Sequence, residues 1–176
     1  MSLFRYLRLT IALSPNEVAV RIGRQTAATD GTGCLIREVV GESRATLWQP
    51  GLDALADLLR ECPRAASRAN LILSNRFLRM VAIPWAGVQR AAASEALTRA
   101  CFESHYGEMR GWMSRDDVGE FGAPRLAFAL EEALLAALKE LFQVAGLRCG
   151  RLEPYFVTAW NTWRRKMAAK NALFVI

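Results

Sequence analysis

The sequence predicts an α/β fold built on a mixed sheet, an α+β arrangement of strands and helices. Three observations predict it. Apolar residues alternate with a two-residue period near the start of the chain. The period changes to that of an amphipathic helix in later stretches. No run of about 18 apolar residues is present to span a bilayer. With 176 residues at 52% hydrophobic content, the chain can bury one sizeable core, or two small lobes sharing a sheet.

The first element is a hairpin. Leu7, Leu9 and Ile11 alternate with Arg8 and Thr10, and Val18, Val20 and Ile22 alternate with Ala19 and Arg21. Ser14-Pro15-Asn16-Glu17 between them is a turn signal. Gly23 to Gly33 reads as a loop, and Cys34 to Val40 as a third strand ending at Gly41. Ala45 to Trp48 reads as a short fourth element or as a lead-in to the next helix, stopped by Gln49-Pro50-Gly51. Leu52, Leu55, Ala56, Leu58 and Leu59 then predict a helix to about Cys62, closed by Pro63. Pro63 to Ala69 reads as a linker.

The chain is organised around Asn70 to Tyr106. Leu71-Ile72-Leu73 reads as a buried strand, and Phe77 to Ile83 as another that stops at Pro84, which has no N–H for a ladder. The two are a pair of strands, or one strand bent at Ser74-Asn75. From Val88, apolar residues at helical spacing run to Phe102. Met109 to Val118 and Arg125 to Leu130 read as a second hairpin around Gly119 to Pro124. Glu131 and Glu132 open a helix, where carboxylates oppose the positive dipole end, and Gly146 caps it. Leu147 to Cys149 reads as a short exit strand, Glu153-Pro154-Tyr155 as a turn, and Phe156 to Trp163 as a last helix. The chain ends on the apolar run Ala172 to Ile176, which predicts a domain cut from a longer protein.

The net charge is +6, nearly all of it arginine. The arginines are scattered along the sequence, with one local cluster at Arg164, Arg165 and Lys166. Diffuse charge fits a composition bias; a nucleic-acid or anionic-membrane surface requires clustering. The N-terminal segment has arginines inside its apolar part and does not read as a signal peptide, so a cytoplasmic protein is expected. Cys34, Cys62, Cys101 and Cys149 form no Cys-x-x-Cys and are expected as free thiols, with Cys101 and Cys149 buried.

No catalytic motif stands out. His105, the only histidine, has no visible orienting partner or nucleophile. Asp116 and Asp117 are neighbours on a strand, so they point to opposite faces and read as a solvated tip. Asp30-Gly31-Thr32-Gly33 lacks the lysine and the following helix of a phosphate loop. The aromatic residues read partly as core, Trp160 above all. Trp85, Trp112 and Phe121, with Arg164 and Arg165, are the candidates for a partner interface.

The order of elements, with Asn70–Pro84 leading to Val88–Tyr106, a helix ending in Ala145-Gly146-Leu147, and then Leu152 to Asn161, resembles the first half of an actin-like protein of RNase-H type. More narrowly it resembles the PilM and GspL cytoplasmic-domain family of type IV pilus and type II secretion assembly. The resemblance implies a main lobe of residues 1–69 and 147–176, with 70–146 as an inserted small β–α subdomain. In the family, a nucleotide site uses Asp-x-Gly in the first hairpin turn and a Lys on the return strand. Here those positions fall at Ala12, Ser14 and Ala19, so no cofactor is expected. The implied function is a non-catalytic scaffold at the inner face of the bacterial inner membrane. Its partner would be an inner-membrane assembly protein with a short cytoplasmic tail, and a homodimer is a further partner the reading admits. No nucleic-acid partner and no membrane insertion are expected. Two alternatives stay open: a divergent actin-like ATPase, using ATP and magnesium, whose second half lies outside this sequence, and a small basic nucleic-acid-binding domain.

Overall fold

The alternation of the first hairpin becomes two antiparallel strands, β1 (Leu7–Leu13) and β2 (Glu17–Arg24), with Ile11 opposite Val20 and Leu13 opposite Val18. This is a computed structural model, and it describes residues 7–24, 33–39, 46–62, 66–87, 91–117 and 121–164. The Gly-rich segment Asp30-Gly31-Thr32, Arg165 with Lys166, and the run 172–176 lie outside the described residues.

The elements then follow as β3 (Cys34–Glu38), α1 (Gln49–Glu61), β4 (Ala66–Leu73), β5 (Leu78–Ile83), α2 (Ala91–Tyr106), β6 (Trp112–Asp116), β7 (Arg125–Glu131), α3 (Glu132–Val144), β8 (Arg148–Pro154) and α4 (Tyr155–Trp163). The strands form two sheets, ordered β3-β2-β1-β4-β8 and β5-β7-β6. In the first, β1 pairs with β4 and β4 with β8 in parallel, and the remaining pairs are antiparallel. The sheet is therefore mixed, as expected.

The chain divides into two compact units, Met1–Arg76 with Leu138–Ile176, and Phe77–Ala137. The boundaries expected from the sequence are 69/70 and 146/147. The difference has a physical cause at each end. Leu71 and Leu73 are buried in β4, between β1 and β8, so they belong to the larger sheet. At the other end, Leu138 and Phe142 are buried within the larger unit. β4 and β5 are separate strands, each in its own sheet, parted by a single 3-10 turn at Asn75–Phe77.

In the larger unit, Leu9, Ile11, Leu13, Val18, Val20, Leu71 and Leu73 point to one face of the sheet and are buried. Helix α1 packs against that face, burying Leu52, Leu55 and Leu58. It starts earlier than its apolar pattern predicts. Gln49-Pro50-Gly51 is its first turn, a place where proline gives up an N–H that no helical bond needs. A Cβ on Gly51 would lie 3.0 Å from Leu13 Cδ1 and 3.2 Å from the Ser14 carbonyl oxygen, so the small residue lets α1 seat against the β1–β2 turn. Arg37 ties β3 to the same helix, 3.4 Å from Asp57 and 2.5 Å from Glu61.

Two other elements outrun their expected lengths. β4 starts at Ala66, inside the expected linker, because polar Ser67, Arg68 and Asn70 mask the alternation around buried Ala69. β8 runs seven residues to Pro154, absorbing the expected turn. A bulge at Gly150 breaks its register with β4, and Asn70 and Arg68 side chains lie across that glycine. Helix α4 then begins without a side-chain cap of its own. Its second N–H, from Phe156, donates to Asn75 Oδ1 at 3.1 Å, a cap supplied from 81 residues away. Asn75→Ala is expected to lower stability by about 0.5–2 kcal/mol, read as a shift in the urea midpoint at unchanged slope.

In the smaller unit, α2 packs on β5, with Phe102 set among Val81, Ile83, Ala127 and Ala129. β5 is an edge strand, and α2 guards it. The Tyr106 hydroxyl donates to the Met80 carbonyl (3.0 Å) and accepts from the Met80 N–H (3.2 Å), taking the place of a neighbouring strand. Tyr106→Phe is expected to lose about 1 kcal/mol and to speed hydrogen exchange at the Met80 amide. Glu131 closes β7, and only Glu132 lies in α3. In the larger unit α3 ends as expected: Gly146 takes φ +67°, with its N–H donating to Gln143 and that of Leu147 to Phe142.

Candidate functional site at the first hairpin turn

The β1–β2 turn stands at the end of the larger sheet. Its geometry is closed by Ser14. The Ser14 N–H donates to the Glu17 carbonyl at 3.0 Å, the Ser14 hydroxyl donates to the same oxygen at 2.9 Å, and Oγ accepts from the Glu17 N–H at 3.0 Å. Pro15 has no N–H. A hollow of about 300 Å³ opens beside this turn, lined by Ala12, Leu13, Ser14, Glu17, Ile72, Ser74 and Tyr155. Ala19 lies directly opposite Ala12 in the β1–β2 register. Of the three positions singled out in the sequence, Ala12 and Ser14 line the hollow, and Ala19 is the strand partner of Ala12.

Among its lining residues the hollow holds no cationic side chain for a polyphosphate. Its one charged lining residue is the carboxylate of Glu17, which repels phosphate. The Ser14 and Glu17 N–H groups are bonded within the turn, so they are not available as a nest for an anion. Neither Ala12 nor Ala19 supplies a charge.

The interface candidates separate into groups. Trp85 and Phe121, in the smaller unit, meet edge to face with ring centroids 4.7 Å apart. Both are exposed, Phe121 at 91%. Trp112 is half-buried against the Phe102 cluster, and the Arg79 guanidinium stacks 4.0 Å over its ring. Arg164 is exposed just past α4 in the larger unit. Trp160, read as core, is 42% exposed. The buried residue of this short helix is Ala159, and the next position turns about 100° away from it.

The other singled-out groups take structural places. His105 Nδ1 lies 2.8 Å from the Cys101 carbonyl at the end of α2. Asp116 is not a free hairpin tip: its Oδ2 pairs with Arg125 Nε at 3.1 Å. Cys149, expected buried, is exposed on β8, and Cys101 is half-buried. Partial burial, with the neighbouring Glu61 carboxylate adding to it, pushes the Cys62 thiol up, so its neutral form is favoured. Among the described residues, no three His, Cys, Asp or Glu side chains gather as a metal site.

No protein-family model matches the sequence, and no curated protein matches it. Solved structures do resemble the fold. The cytoplasmic domain of EpsL, an inner-membrane component of the type II secretion system of Vibrio cholerae, matches 84% of this chain at 12% identity with a TM-score of 0.58. A protein of actin-like ATPase fold and unknown function from Bacteroides thetaiotaomicron matches 93–94% coverage in the same range as the PilM–PilN type IV pilus biogenesis complex: 94% at 14% identity and TM-score 0.57, against 93% at 14% and 0.60. The chain spans 57%, 60% and 52% of the three neighbours. The fold is therefore actin-like, with this chain matching about half to three fifths of each neighbour. No helix among the described residues is long and apolar enough to cross a membrane.

Proposed function

We propose that this chain is a binding scaffold that works without nucleotide. It takes up the short cytoplasmic tail of an inner-membrane protein during assembly of a type IV pilus or type II secretion platform. One observation carries the reading: the hollow where an actin-like fold would grip phosphate is formed by Ala12, Ser14 and Glu17, with Ala19 alongside, and offers no cation. The likeness to the EpsL cytoplasmic domain and to the PilM–PilN complex supports the membrane-platform setting.

The tail would be held through apolar anchors rather than charge. The smaller unit exposes Trp85, Phe121, Met80 and Met113. Aromatic anchors of this kind dominate interface energetics. The test is capture by the immobilised 176-residue protein from a bacterial inner-membrane extract. The expected result is retention of a membrane protein with one short cytoplasmic segment, lost with the Trp85→Ala/Phe121→Ala double variant. Equal retention by that variant, or retention of no membrane protein, contradicts the proposal.

A further inference from the structure

The second face of the larger sheet, opposite α1, carries an arrangement that the linear sequence hides. Register places Arg8, Arg68 and Arg148 side by side on the adjacent strands β1, β4 and β8. One row further along stand Arg21, Thr10, Asn70 and Arg151. All five arginines are exposed. Neither row contains a carboxylate. Of these five, only Arg151 has an acidic partner among the described residues, Glu153 at 3.1 Å from the next row.

Like charges directly across neighbouring strands weaken a sheet. Parallel strands are also normally covered on both faces. Here the far end of this face is covered by α4, which packs on β4 and β8 and bonds Thr158 to Glu153 at 3.2 Å. The arginine end has no described element over it.

We infer that the arginine rows of Arg8, Arg68, Arg148, Arg21 and Arg151 dock an acidic helix of a partner protein. Strands lie about 4.8 Å apart. A helix laid across them rises about 5.4 Å per turn. One carboxylate per turn therefore meets one arginine per strand, and arginine binds carboxylate through paired hydrogen bonds. A second copy of this basic face would be repelled. Stacking platforms for single-stranded nucleic acid need aromatic rings, and these rows hold none. A flat bilayer is kept off by α4, which stands about a helix diameter above the sheet. The surface uses none of the residues invoked for tail binding, so the two proposals fail separately.

The probe is a synthetic alanine-rich helix with glutamates along one face, titrated into the 176-residue protein by fluorescence anisotropy. Its lysine counterpart, duplex DNA and phosphatidylglycerol vesicles are run in parallel. The glutamate helix is expected to bind, with affinity falling as salt rises. The Arg8→Gln/Arg68→Gln/Arg148→Gln variant is expected to bind at least about tenfold more weakly, and Arg110→Gln unchanged. Amide resonances of Arg8, Thr10, Asn70 and Arg148 in the wild-type protein are expected to shift on binding, which needs no variant. The inference is overturned by equal affinity of the triple variant, by shifts confined to residues 77–137, by tighter binding of DNA or vesicles, or by no binding of the glutamate helix.

Discussion

Phe102→Ala is expected to destabilise the smaller unit by about 3–5 kcal/mol. The ring is 1% exposed and is the largest side chain in a cluster otherwise made of Val81, Ile83, Ala127 and Ala129. Two of those four neighbours are alanines, which have no side chain long enough to move into the space. The half-buried Leu97, Cys101, Met109 and Trp112 that pack against the cluster would refill the space only in part, and the residual cavity would add to the lost transfer energy. Trp112 packs against this cluster, so a version keeping Trp112 as its one tryptophan reports the transition by fluorescence in guanidinium titration. A loss below about 1 kcal/mol would show that α2 does not seat its ring in that sheet.

Leu71→Ala is expected to lower the stability of the larger unit by about 2–5 kcal/mol. Leu71 is 1% exposed in β4, with Ile11 beside it on β1 and Leu152 on β8. Its neighbours on both sides are fixed by parallel ladders, so the backbone has little room to relax. Far-ultraviolet circular dichroism against urea measures the change. The expected signature is a lower midpoint with the slope retained, meaning loss of stability without a new denatured state.

Elements with strong local signals could be read from the residues. The first hairpin carries clean alternation and a Ser-Pro-Asn turn, and the helix before Gly146 carries both its apolar face and its cap. Elements whose pattern is set by distant neighbours could not. Ala69 is the only strongly buried residue among Ser67, Arg68, Ala69 and Asn70, so the first half of β4 looked like a linker. Gln49-Pro50-Gly51 looked like a stop because proline breaks a helix interior, yet it sits in the first turn, where proline is tolerated. Asn75 gave no sign of capping α4, because the helix it caps lies 81 residues on.

The charge distribution shows the same limit. Arg8, Arg21, Arg68, Arg148 and Arg151 are scattered in sequence and read as diffuse. They become neighbours only through one antiparallel pairing, two parallel pairings and one bulge. Ala12, Ser14 and Ala19 stand out because an actin-like frame assigns a role to those positions; Ala12 and Ser14 line one hollow, and Ala19 pairs with Ala12. The occupation of the turn by its own Ser14–Glu17 hydrogen bonds needed the structure.

Titration calorimetry of the 176-residue protein with Mg-ATP tests the central claim most directly. With Glu17 facing the hollow and no cation at Ala12, Ser14 or Ala19, no binding heat is predicted up to millimolar nucleotide. Saturable binding with a micromolar Kd, weakened by a Ser14→Asp variant, would contradict it.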